Sequence, residues 1–529
     1  MSYFGDIIPA ISQNIDALRA TGALAARPGF MLDEDGYPTQ TRAVVLIADP
    51  NVALANVPDS LGGLPIDVRM ATPAQIMQFT QPAAFADKAR FSLAESVPDD
   101  FPGLVLLREG VAPLAVQVEA APGIVYTPPP DANYDPIQLT NVTMICSCSP
   151  DNGWSVLEAF IQATSASLTT AMYDFTSAHI EQTVATSLEG KPFKLVLDHP
   201  PKNPTADETD EQTVAKLTSA LGSTFTQTWA LTPSDPDGGT PIFQTSYHIK
   251  VSARDIGRTN VGVWISSGNW NNSNQPVFDW TNPDKTLARK SDRDWHVVFF
   301  SQELAAWFAS FIEHDFDVAQ AENANAARAH AIVEALPPPP PAASPIDEFV
   351  GPITLTESVT VTPLLTPDAG VYVDAILDLI NGTQRSFDLQ LQYINSFAAD
   401  PKFADLIAAL ARVQHNEAIV TRIILGNNQQ SENLELMQEA GMLVDRAHVR
   451  IQNNVHNKGM LVDGVRTVVS SQNWSGAGVL RNRDAGVIIE SAQVNAYFQA
   501  RFDYDWTYQA TAKPRQAKTG GTENGGDDS

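Results

Sequence analysis

The sequence has few cysteines, and their number limits the kinds of protein it can encode. Only two of the 529 residues are cysteines, Cys146 and Cys148, which is too few for a disulfide framework or for a zinc site of their own. Their spacing places both thiols on one face of a strand, where a bridge between them would be strained. We therefore expect two buried, reduced thiols.

Long apolar runs and a secretory signal are also missing. No stretch approaches the length of a membrane-spanning helix, and the N-terminus lacks the basic start of a signal peptide. The first residues, MSYFGDIIPAISQNIDALRATGAL, instead place apolar side chains near helical spacing, which predicts an amphipathic helix. On these grounds we expect a cytoplasmic protein without a transmembrane segment.

Basic residues are outnumbered by acidic ones. The chain has 33 Lys and Arg against 61 Asp and Glu, a formal net charge of −28. Such a surface repels nucleic acid and anionic membranes at long range, although many proteins are acidic for no such reason. With 43% hydrophobic and 18% charged residues, the composition is that of a globular protein.

Proline-rich segments divide the chain. TPPPDANYDP at 127–136 predicts an extended linker, and ALPPPPPAASP at 335–345 predicts a stiff polyproline tract that no helix or central strand can absorb. The polar, glycine-rich end predicts a disordered tail at 511–529. The remaining blocks are the three predicted domains: 1–126, 137–334 and 346–510.

The second and third blocks share an order of predicted elements. Each opens with a helix pattern and a strand pattern, followed by another amphipathic helix and another apolar strand. Near their ends, WFASFIEHDF at 307–316 aligns without gaps to YFQARFDYDW at 497–506. Such alternation predicts α/β layers with helices covering a sheet, and its repetition predicts duplication with a pseudo-twofold arrangement.

The first block also has an α/β pattern, with strands predicted in RAVVLIAD, LPIDVRMAT and PGLVLLREG. It contains no recognisable chemical constellation. The sequence therefore leaves its role open between regulation, scaffolding and shaping of a substrate site.

A histidine motif occurs once in each of the two similar blocks. The copies are His248-x-Lys250-x-x-x-x-Asp255 and His456-x-Lys458-x-x-x-x-Asp463. One copy would arise by chance in a chain of this length at roughly a few per cent. Two copies at corresponding places in similar repeats are not a chance pattern.

Both copies are followed by the same downstream residues. Each has Ser-Ser-x-Asn-Trp after the motif and then an aspartate directly after an arginine. The residues concerned are Asn269, Trp270 and Asp294 in the first copy, and Asn473, Trp474 and Asp484 in the second.

This duplicated motif with its Asn-containing turn resembles the phospholipase D superfamily, over about residues 137–510. The resemblance implies two phospholipase D-like sheet-and-helix domains whose motifs meet at their interface, with a small N-terminal α/β domain in addition. The superfamily includes phospholipases, phospholipid synthases, endonucleases and DNA-repair phosphodiesterases. One departure is Gln472, which stands where a small residue is common, so that its side chain would either fold outward or narrow the site.

The residue types explain what chemistry the motifs offer. Histidine and lysine two positions apart on a strand share one face, so each motif presents an imidazole and an ammonium together. Lys250 and Lys458 would place positive charge against the oxygens of a phosphodiester. Asn269 and Asn473 would add amide donors to the same oxygens. One histidine can act as nucleophile and the other as general acid and base, which requires neither metal nor cofactor.

The resemblance also implies individual roles. It makes His248 the nucleophile and His456 the general acid and base. In the family, an acidic residue downstream of the Asn turn holds the histidine Nδ1, which points to Asp484 and Asp294. Asp484 fits the family spacing better, because the insertion NQPVFDWTNPDKTLARKS precedes Asp294.

Other motif residues are predicted to be structural. Asp255 and Asp463 lie five residues past their lysines and would point away from the site on a continuous strand. Trp270 and Trp474 are predicted to pack beneath the site. The remaining histidines have no matching partner in the repeats and are predicted to be surface or core residues: His179, His199, His296, His314, His330, His415 and His448.

Three functions remain open on the sequence. The first is hydrolysis or transfer of phospholipid head groups, with a hydrophobic mouth formed by Phe278, Trp280, Tyr393 and Phe397. The second is a metal-independent nuclease, which would need a basic rim that the sequence does not show. The third is a non-catalytic binding scaffold, against which the intact motifs argue. The sequence favours the first and leaves the head group and the oligomeric state undetermined.

Overall fold

The computed structural model describes seven stretches of the chain: residues 3–80, 101–107, 124–199, 207–232, 240–323, 348–395 and 397–515. The predicted polyproline tract at 335–345 and most of the predicted tail lie outside the described residues. Within the described part, no helix combines the length and the apolar character that crossing a membrane requires.

The N-terminal segment forms two short helices where one was predicted. Helices α1 (Ile8–Gln13) and α2 (Ile15–Arg19) are separated at Asn14, whose backbone has φ −116° and ψ 23°. The Asn14 side chain donates to the carbonyl of Ala10 at 2.9 Å. A side-chain amide that bonds the local backbone in this way competes with the helix. The apolar periodicity is nevertheless used, because Ile11 and Leu18 are buried.

A five-stranded sheet follows these helices, with the strand order β3-β4-β2-β1-β5. Its strands are β1 (Ala25–Leu32), β2 (Pro38–Ala48), β3 (Ser60–Leu61), β4 (Leu64–Met70) and β5 (Val105–Leu106). The helix α3 (Pro73–Thr80) comes after β4. Two of the three predicted strands are β2 and β4. The third, PGLVLLREG, is limited to β5 within the described residues.

A buried ionic network joins this sheet to the helix at Ser431–Glu439. The carboxylate of Glu435 is fully buried and accepts hydrogen bonds from Arg27 at 2.7 Å, from Arg69 at 2.9 Å and from the backbone of Phe30 at 2.7 Å. Burial alone would raise the pKa of Glu435, but Arg27 and Arg69 lower it below its ordinary value. The N-terminal block is therefore fixed to the second repeat by charge as well as by packing.

We expect Glu435→Gln to lower the free energy of unfolding by ~3 kcal/mol, because the buried guanidinium of Arg27 loses its nearer charge partner and keeps only Glu432 at 3.8 Å. Chemical denaturation at neutral pH would measure the change. Glu439→Gln is the matched control, since its partner Arg42 is 35% exposed and such pairs contribute less than about 1 kcal/mol. Equal losses in the two variants would contradict the proposed contribution of Glu435.

A single 14-stranded sheet forms the main body of the protein. In the first half its strands are β6 (Ile137–Ser149), β7 (Leu168–Met172), β8 (Phe193–His199), β9 (Phe225–Leu231), β10 (Lys250–Arg254), β11 (Gly262–Ser266) and β12 (Asp294–Phe300). In the second half they are β13 (Ile353–Thr366), β14 (Ser386–Leu391), β15 (Val420–Gly426), β16 (Val449–Gln452), β17 (Lys458–Val462), β18 (Arg466–Ser470) and β19 (Asp484–Glu490).

The strand order repeats itself outward from the middle of this sheet. It runs β9-β8-β7-β10-β11-β12-β6 and continues β13-β19-β18-β17-β14-β15-β16. Each strand of the first half thus has its counterpart seven numbers later in the second. The antiparallel pair β6 and β13, in which Ile353 lies opposite Cys146, joins the halves edge to edge.

Helices cover both faces of the large sheet. They are α4 (Gly153–Gln162), α5 (Ala178–Ser187), α6 (Asp210–Leu221), α7 (Lys285–Arg289), α8 (Gln302–Asn323), α9 (Val371–Asn381), α10 (Pro401–Gln414), α11 (Ser431–Glu439), α12 (Gly476–Leu480) and α13 (Ala492–Tyr504). On β8, Leu195 and Leu197 pack with α4, α5 and α6, whereas Val196 belongs to the core that contains α8. The predicted mixed α/β class is confirmed. Cys146 and Cys148 are both buried and unbridged.

Candidate active site

Both histidine motifs lie at the beginning of a strand in the middle of their half-sheet. His248 comes just before β10 and His456 just before β17, and the lysine of each motif is the first residue of the strand. The side chains of Lys250 and Lys458 are buried, and each ammonium donates to the carbonyl of the histidine two residues earlier. The charge of each lysine is therefore held beside its own histidine.

Each motif histidine is paired with an aspartate from the other half of the chain. Nδ1 of His248 lies 2.7 Å from Oδ1 of Asp484, and Nδ1 of His456 lies 3.0 Å from Oδ1 of Asp294. A carboxylate in this position accepts a hydrogen bond from Nδ1–H, which fixes the tautomer in which Nε2 can face a substrate. The structure thus brings four predicted site residues together as two crossed pairs.

Backbone hydrogen bonds between the halves produce this crossing. The segment before β19 lies along the first motif, where the Arg483 N–H donates to Ser246 O at 2.9 Å. The segment before β12 lies along the second motif, where Arg293 N–H donates to Asn454 O at 2.7 Å and His456 N–H donates to Arg293 O at 3.1 Å. Each aspartate therefore enters the site from the opposite half.

Two serines that the sequence analysis did not select orient the aspartates. Ser267 Oγ donates to Asp294 Oδ1 at 2.6 Å, and Ser471 Oγ donates to Asp484 Oδ1 at 2.5 Å. Each is the second serine of the Ser-Ser-x-Asn-Trp sequence that occurs in both halves. The repetition of the two serines in both halves was the sequence signal that could have identified them.

The environments of the two aspartates differ. Burial raises the pKa of Asp484 to about 7, although Lys250 acts in the opposite direction. Burial also tends to raise the pKa of Asp294, but His456 and Lys458 lower it below its ordinary value. For His456 itself, burial and Lys458 lower the pKa, and the aspartate opposes them. The two pairs are therefore chemically unequal.

The predicted asparagines lie on the turns that carry these serines. Asn269 and Asn473 are both buried, and the Oδ1 atom of each has no hydrogen-bond partner among the described residues. The backbone N–H of Asn269 is held by Asn274 Oδ1 at 2.9 Å. Trp270 and Trp474, the next residues, are fully buried, and their side chains belong to the hydrophobic cores.

Gln472 folds inward. Its side chain is fully buried, and its Oε1 accepts a hydrogen bond from Ser470 Oγ. In the first half the ring of His296 takes the corresponding place, with Nδ1 2.7 Å from Ser266 Oγ. In each half a small residue therefore faces a large one, but at opposite positions. The first half has Gly268 in the turn and His296 on the strand, and the second half has Gln472 in the turn and Gly486 on the strand.

Tyr173, which the sequence analysis missed, contacts the first motif. Its ring meets the His248 ring edge to face at 4.5 Å between centroids, and the Lys250 ammonium lies 4.9 Å from its centroid. Tyr173 directly follows β7, and the register of β14 with β17 places Gln392 at the corresponding position. This difference between the repeats was the only sequence signal.

The predicted hydrophobic mouth is wrong for three of its four residues. Tyr393, Phe397 and Phe278 are 3%, 1% and 8% exposed. Phe278 packs against Phe349 at 4.8 Å between ring centroids. Apolar side chains on these loops pack into the cores beneath them. The sequence pattern does not distinguish apolar loop residues that are buried from those that line a surface groove. Only Trp280 keeps substantial exposure, at 38%.

Asp255 and Asp463 lie away from the histidines, at the far ends of β10 and β17. Both adopt a left-handed backbone, with φ 56° and 57°. Asp255 accepts from the backbone N–H groups of Ser165, Ala166 and Ser167. Asp463 accepts in the same way from residues 384–386. Although burial opposes the effect, these N–H groups lower the pKa of both carboxyls.

We expect Asp255→Ala to lower the free energy of unfolding by ~2 kcal/mol, because three backbone N–H groups lose their acceptor. Since the folded-state pKa is depressed, this contribution is present above about pH 4 and is lost as the pH falls through the folded pKa. Denaturation at pH 7 and at low pH would measure it. Asp378→Ala, at an exposed position of α9, is the control. A variant as stable as this control at pH 7 would contradict the prediction.

The crossed pairs of histidine and aspartate, with a buried lysine beside each histidine, bring predicted site residues from both halves of the chain together. Residues 376–506 match the family model described as cardiolipin synthase, PLD-like domain. No curated protein matches the sequence significantly.

Many solved structures show likeness to the chain, and the following are three of them. Phosphatidylserine synthase from Haemophilus influenzae Rd KW20 is 16% identical, with 73% of this chain and 90% of that chain covered and a TM-score of 0.45. Nuc, a phospholipase D family member from Salmonella typhimurium, is 18% identical, with coverages of 28% and 96% and a TM-score of 0.24. Polyphosphate kinase from Porphyromonas gingivalis is 9% identical, with coverages of 71% and 53% and a TM-score of 0.39.

Proposed function

We propose that the protein hydrolyses or transfers phospholipid head groups through a covalent phosphohistidine formed on His248. The observation that carries this proposal is the pair of crossed contacts, His248 with Asp484 and His456 with Asp294. They hold two imidazoles from different halves of the chain through Nδ1, so that Nε2 is the ring nitrogen assigned to the chemistry. Such a pair suits a reaction in two steps, in which one histidine attacks and the other moves the proton.

In the first step, Nε2 of His248 attacks the phosphorus and the bond to the leaving alcohol breaks. Protonated His456 gives its Nε2 proton to the leaving oxygen and becomes neutral. In the second step, neutral His456 removes a proton from water or from an acceptor alcohol, whose oxygen attacks the phosphohistidine. The bond between phosphorus and His248 then breaks, and both histidines return to their starting states. Water gives hydrolysis, and an alcohol gives transfer.

Fixed positive charge and amide donors support both steps. Lys250 and Lys458 are held beside the histidines, where their charge stabilises the phosphoryl oxygens in the transition state. Asn269 and Asn473, on the turns that carry the orienting serines, would donate their amide protons to the same oxygens. No step assigns a role to a metal ion.

A lipid substrate is favoured over nucleic acid by charge and by one exposed loop. The net charge of −28 opposes binding of a polyanion. The insertion between the first Asn turn and Asp294 carries exposed apolar side chains, with Val277 60% and Trp280 38% exposed. An exposed tryptophan beside an aliphatic side chain suits the boundary between lipid and water. The insertion begins close to the site. Asn274, at its start, accepts a hydrogen bond from the backbone N–H of Asn269.

One panel of assays tests the proposal. Purified protein is incubated, with chelator present, with phosphatidylcholine or phosphatidylglycerol vesicles, each with and without a primary alcohol. Separate reactions contain single-stranded or double-stranded nucleic acid. Release of a head group, with phosphatidyl-alcohol formed when the alcohol is present, supports the lipid proposal. Cleavage of nucleic acid alone would reject it in favour of a nuclease, and no covalent phosphoenzyme under any condition would reject the phosphohistidine.

A further inference from the structure

The two halves of the site differ at one charged position. Asp292 lies two residues before Asp294, and the corresponding residue two before Asp484 is Asn482. The Asn482 side chain holds the backbone of the first motif, because its Oδ1 accepts from Ser246 N–H at 3.2 Å and from the hydroxyl of Thr245. At corresponding positions, the first half therefore has a carboxyl group and the second half a neutral amide.

Asp292 is held firmly on the His456 side of the site. Its backbone N–H donates to Ser273 O at 2.7 Å, and its Oδ2 accepts from Asn274 Nδ2 at 3.0 Å. The next residue, Arg293, accepts the backbone N–H of His456 at 3.1 Å. The residue directly after Asp292 therefore contacts the backbone of His456, and the carboxyl of Asp292 is held in place beside this contact. It is also half-buried, so solvent screens its charge only in part.

The charged groups that act on His456 come from both halves of the chain. Lys458, on the same strand, disfavours a protonated imidazole, whereas Asp294 and Asp292 favour it. The rest of the cluster consists of Lys250, His248 and Asp484. Because burial and Lys458 both lower the pKa of His456, a single aspartate has to offset two opposing influences. A second carboxylate supplies further stabilisation of the charged ring.

We propose that Asp292 is a positioning residue that keeps the proton on His456 until the leaving group takes it. This proposal rests on the proposed function, in which His456 is the general acid. Burial raises the pKa of Asp292, and His456 and Lys458 act in the opposite direction. In the proposed step Asp292 acts as a carboxylate, and the proton moves only from His456 Nε2 to the leaving oxygen. Its neutral counterpart Asn482 leaves the His248 side without this charge, which suits a histidine that must be unprotonated to attack.

Asp292→Asn tests the proposal without removing a hydrogen-bond acceptor for Asn274. Loss of the charge lowers the pKa of His456, so protonated His456 is lost at lower pH. We expect the alkaline limb of the pH profile of kcat/KM to move down by about 0.5 to 1 pH unit. Asp292→Glu, which keeps the charge, should stay near the wild type. Asn482→Asp is the matched control, which adds a carboxylate on the other side and should leave the alkaline limb where it is or above.

A second measurement does not depend on turnover. The pKa of His456 is followed by NMR titration of histidine-labelled protein, with His456→Asn used to assign the resonance. A fall of the same size in Asp292→Asn supports the proposal, even where the lipid assay shows no activity and the proposed function has failed. An alkaline limb and a His456 pKa that both lie within about 0.2 unit of the wild type would overturn it.

Discussion

His248→Asn and His456→Asn are each expected to reduce phosphodiester cleavage by at least about 10⁴-fold, because each removes a group that forms or breaks a bond in the reaction. Asparagine keeps a side chain of similar polarity, so the crossed aspartates retain a hydrogen-bond donor and the fold should persist. Initial rates on the best substrate of the assay panel would measure the loss. His415→Asn, at an exposed position far along the chain from both motifs, should keep the wild-type rate.

An activated substrate separates the two histidines. A p-nitrophenyl phosphodiester has a leaving group that departs without a proton, so His456→Asn should still form a phosphoenzyme while failing to turn it over. His248→Asn should form none. If His248→Asn instead accumulates a phosphoenzyme and His456→Asn does not, the roles of nucleophile and acid are reversed. Wild-type rates in either variant would contradict the two-histidine mechanism itself.

Arg483→Met is expected to lower the free energy of unfolding by ~3–5 kcal/mol. The Arg483 guanidinium is fully buried and binds Asp315 at 2.8 Å and Asp368 at 2.7 Å. Asp315 lies on α8 of the first half, so the ion cluster ties the halves together. Removal of the cation leaves two buried carboxyls without a counter-charge, and the segment that carries Asp484 loses its anchor. Chemical denaturation would measure the stability, and the same assay panel would show an accompanying loss of rate.

The pH dependence of this loss provides a further check. Burial raises the pKa of Asp315 to about 6 even with Arg483 beside it. Without the arginine, the folded-state pKa of Asp315 rises further above about 6, so the stability gap between variant and wild type should narrow as the pH falls towards about 6 and stay constant below it. Arg412→Met is the control, because Arg412 is exposed and bonds the neutral side chain of Asn381, and a change within ~0.5 kcal/mol is expected. A gap that stays constant as the pH falls from about 8 to about 6 would contradict the electrostatic cause.

The same arrangement occurs in the first half around Arg293. Its guanidinium binds Asp151 at 2.6 Å and Asp505 at 2.8 Å, and Asp505 follows the last helix of the second half. Each of these arginines directly precedes the aspartate that holds a histidine. The sequence showed both arginines as part of the repeated Arg-Asp pair, but it did not show that their partners lie far away in the chain. A buried charge needs a partner, yet that requirement does not identify which of 61 acidic residues supplies it.

Several features of the site could be predicted because they depend on short spacing. Histidine and lysine two residues apart on a strand share a face whatever the rest of the fold, and the duplication separated His248 and His456 from the other histidines. The large sheet could be predicted as a class, since alternating strand and helix patterns require layers. Its continuity through β6 and β13 could not, because edge-to-edge pairing of two strands 216 residues apart (353 − 137) leaves no local pattern.

The hydrophobic-mouth prediction failed for a related reason. Apolar residues in loops serve either a surface or a core, and Tyr393 and Phe397 are buried because neighbouring elements cover them. Tyr173 was missed for the opposite reason, since a lone tyrosine after a strand has no spacing signal and becomes significant only beside His248.

The sequence by itself determined the mixed α/β class, because periodicity is a local property of a chain. The repeated motif also selected two histidines, two lysines and two asparagines as the predicted site. Only the tertiary structure decided that Asp484 belongs to His248 and Asp294 to His456. Those contacts join residues 236 and 162 positions apart, and they form because backbone pairing between the halves brings each aspartate to the opposite motif. The tertiary structure also decided which histidine each of two corresponding residues accompanies. Asp292 lies on the His456 side and Asn482 on the His248 side.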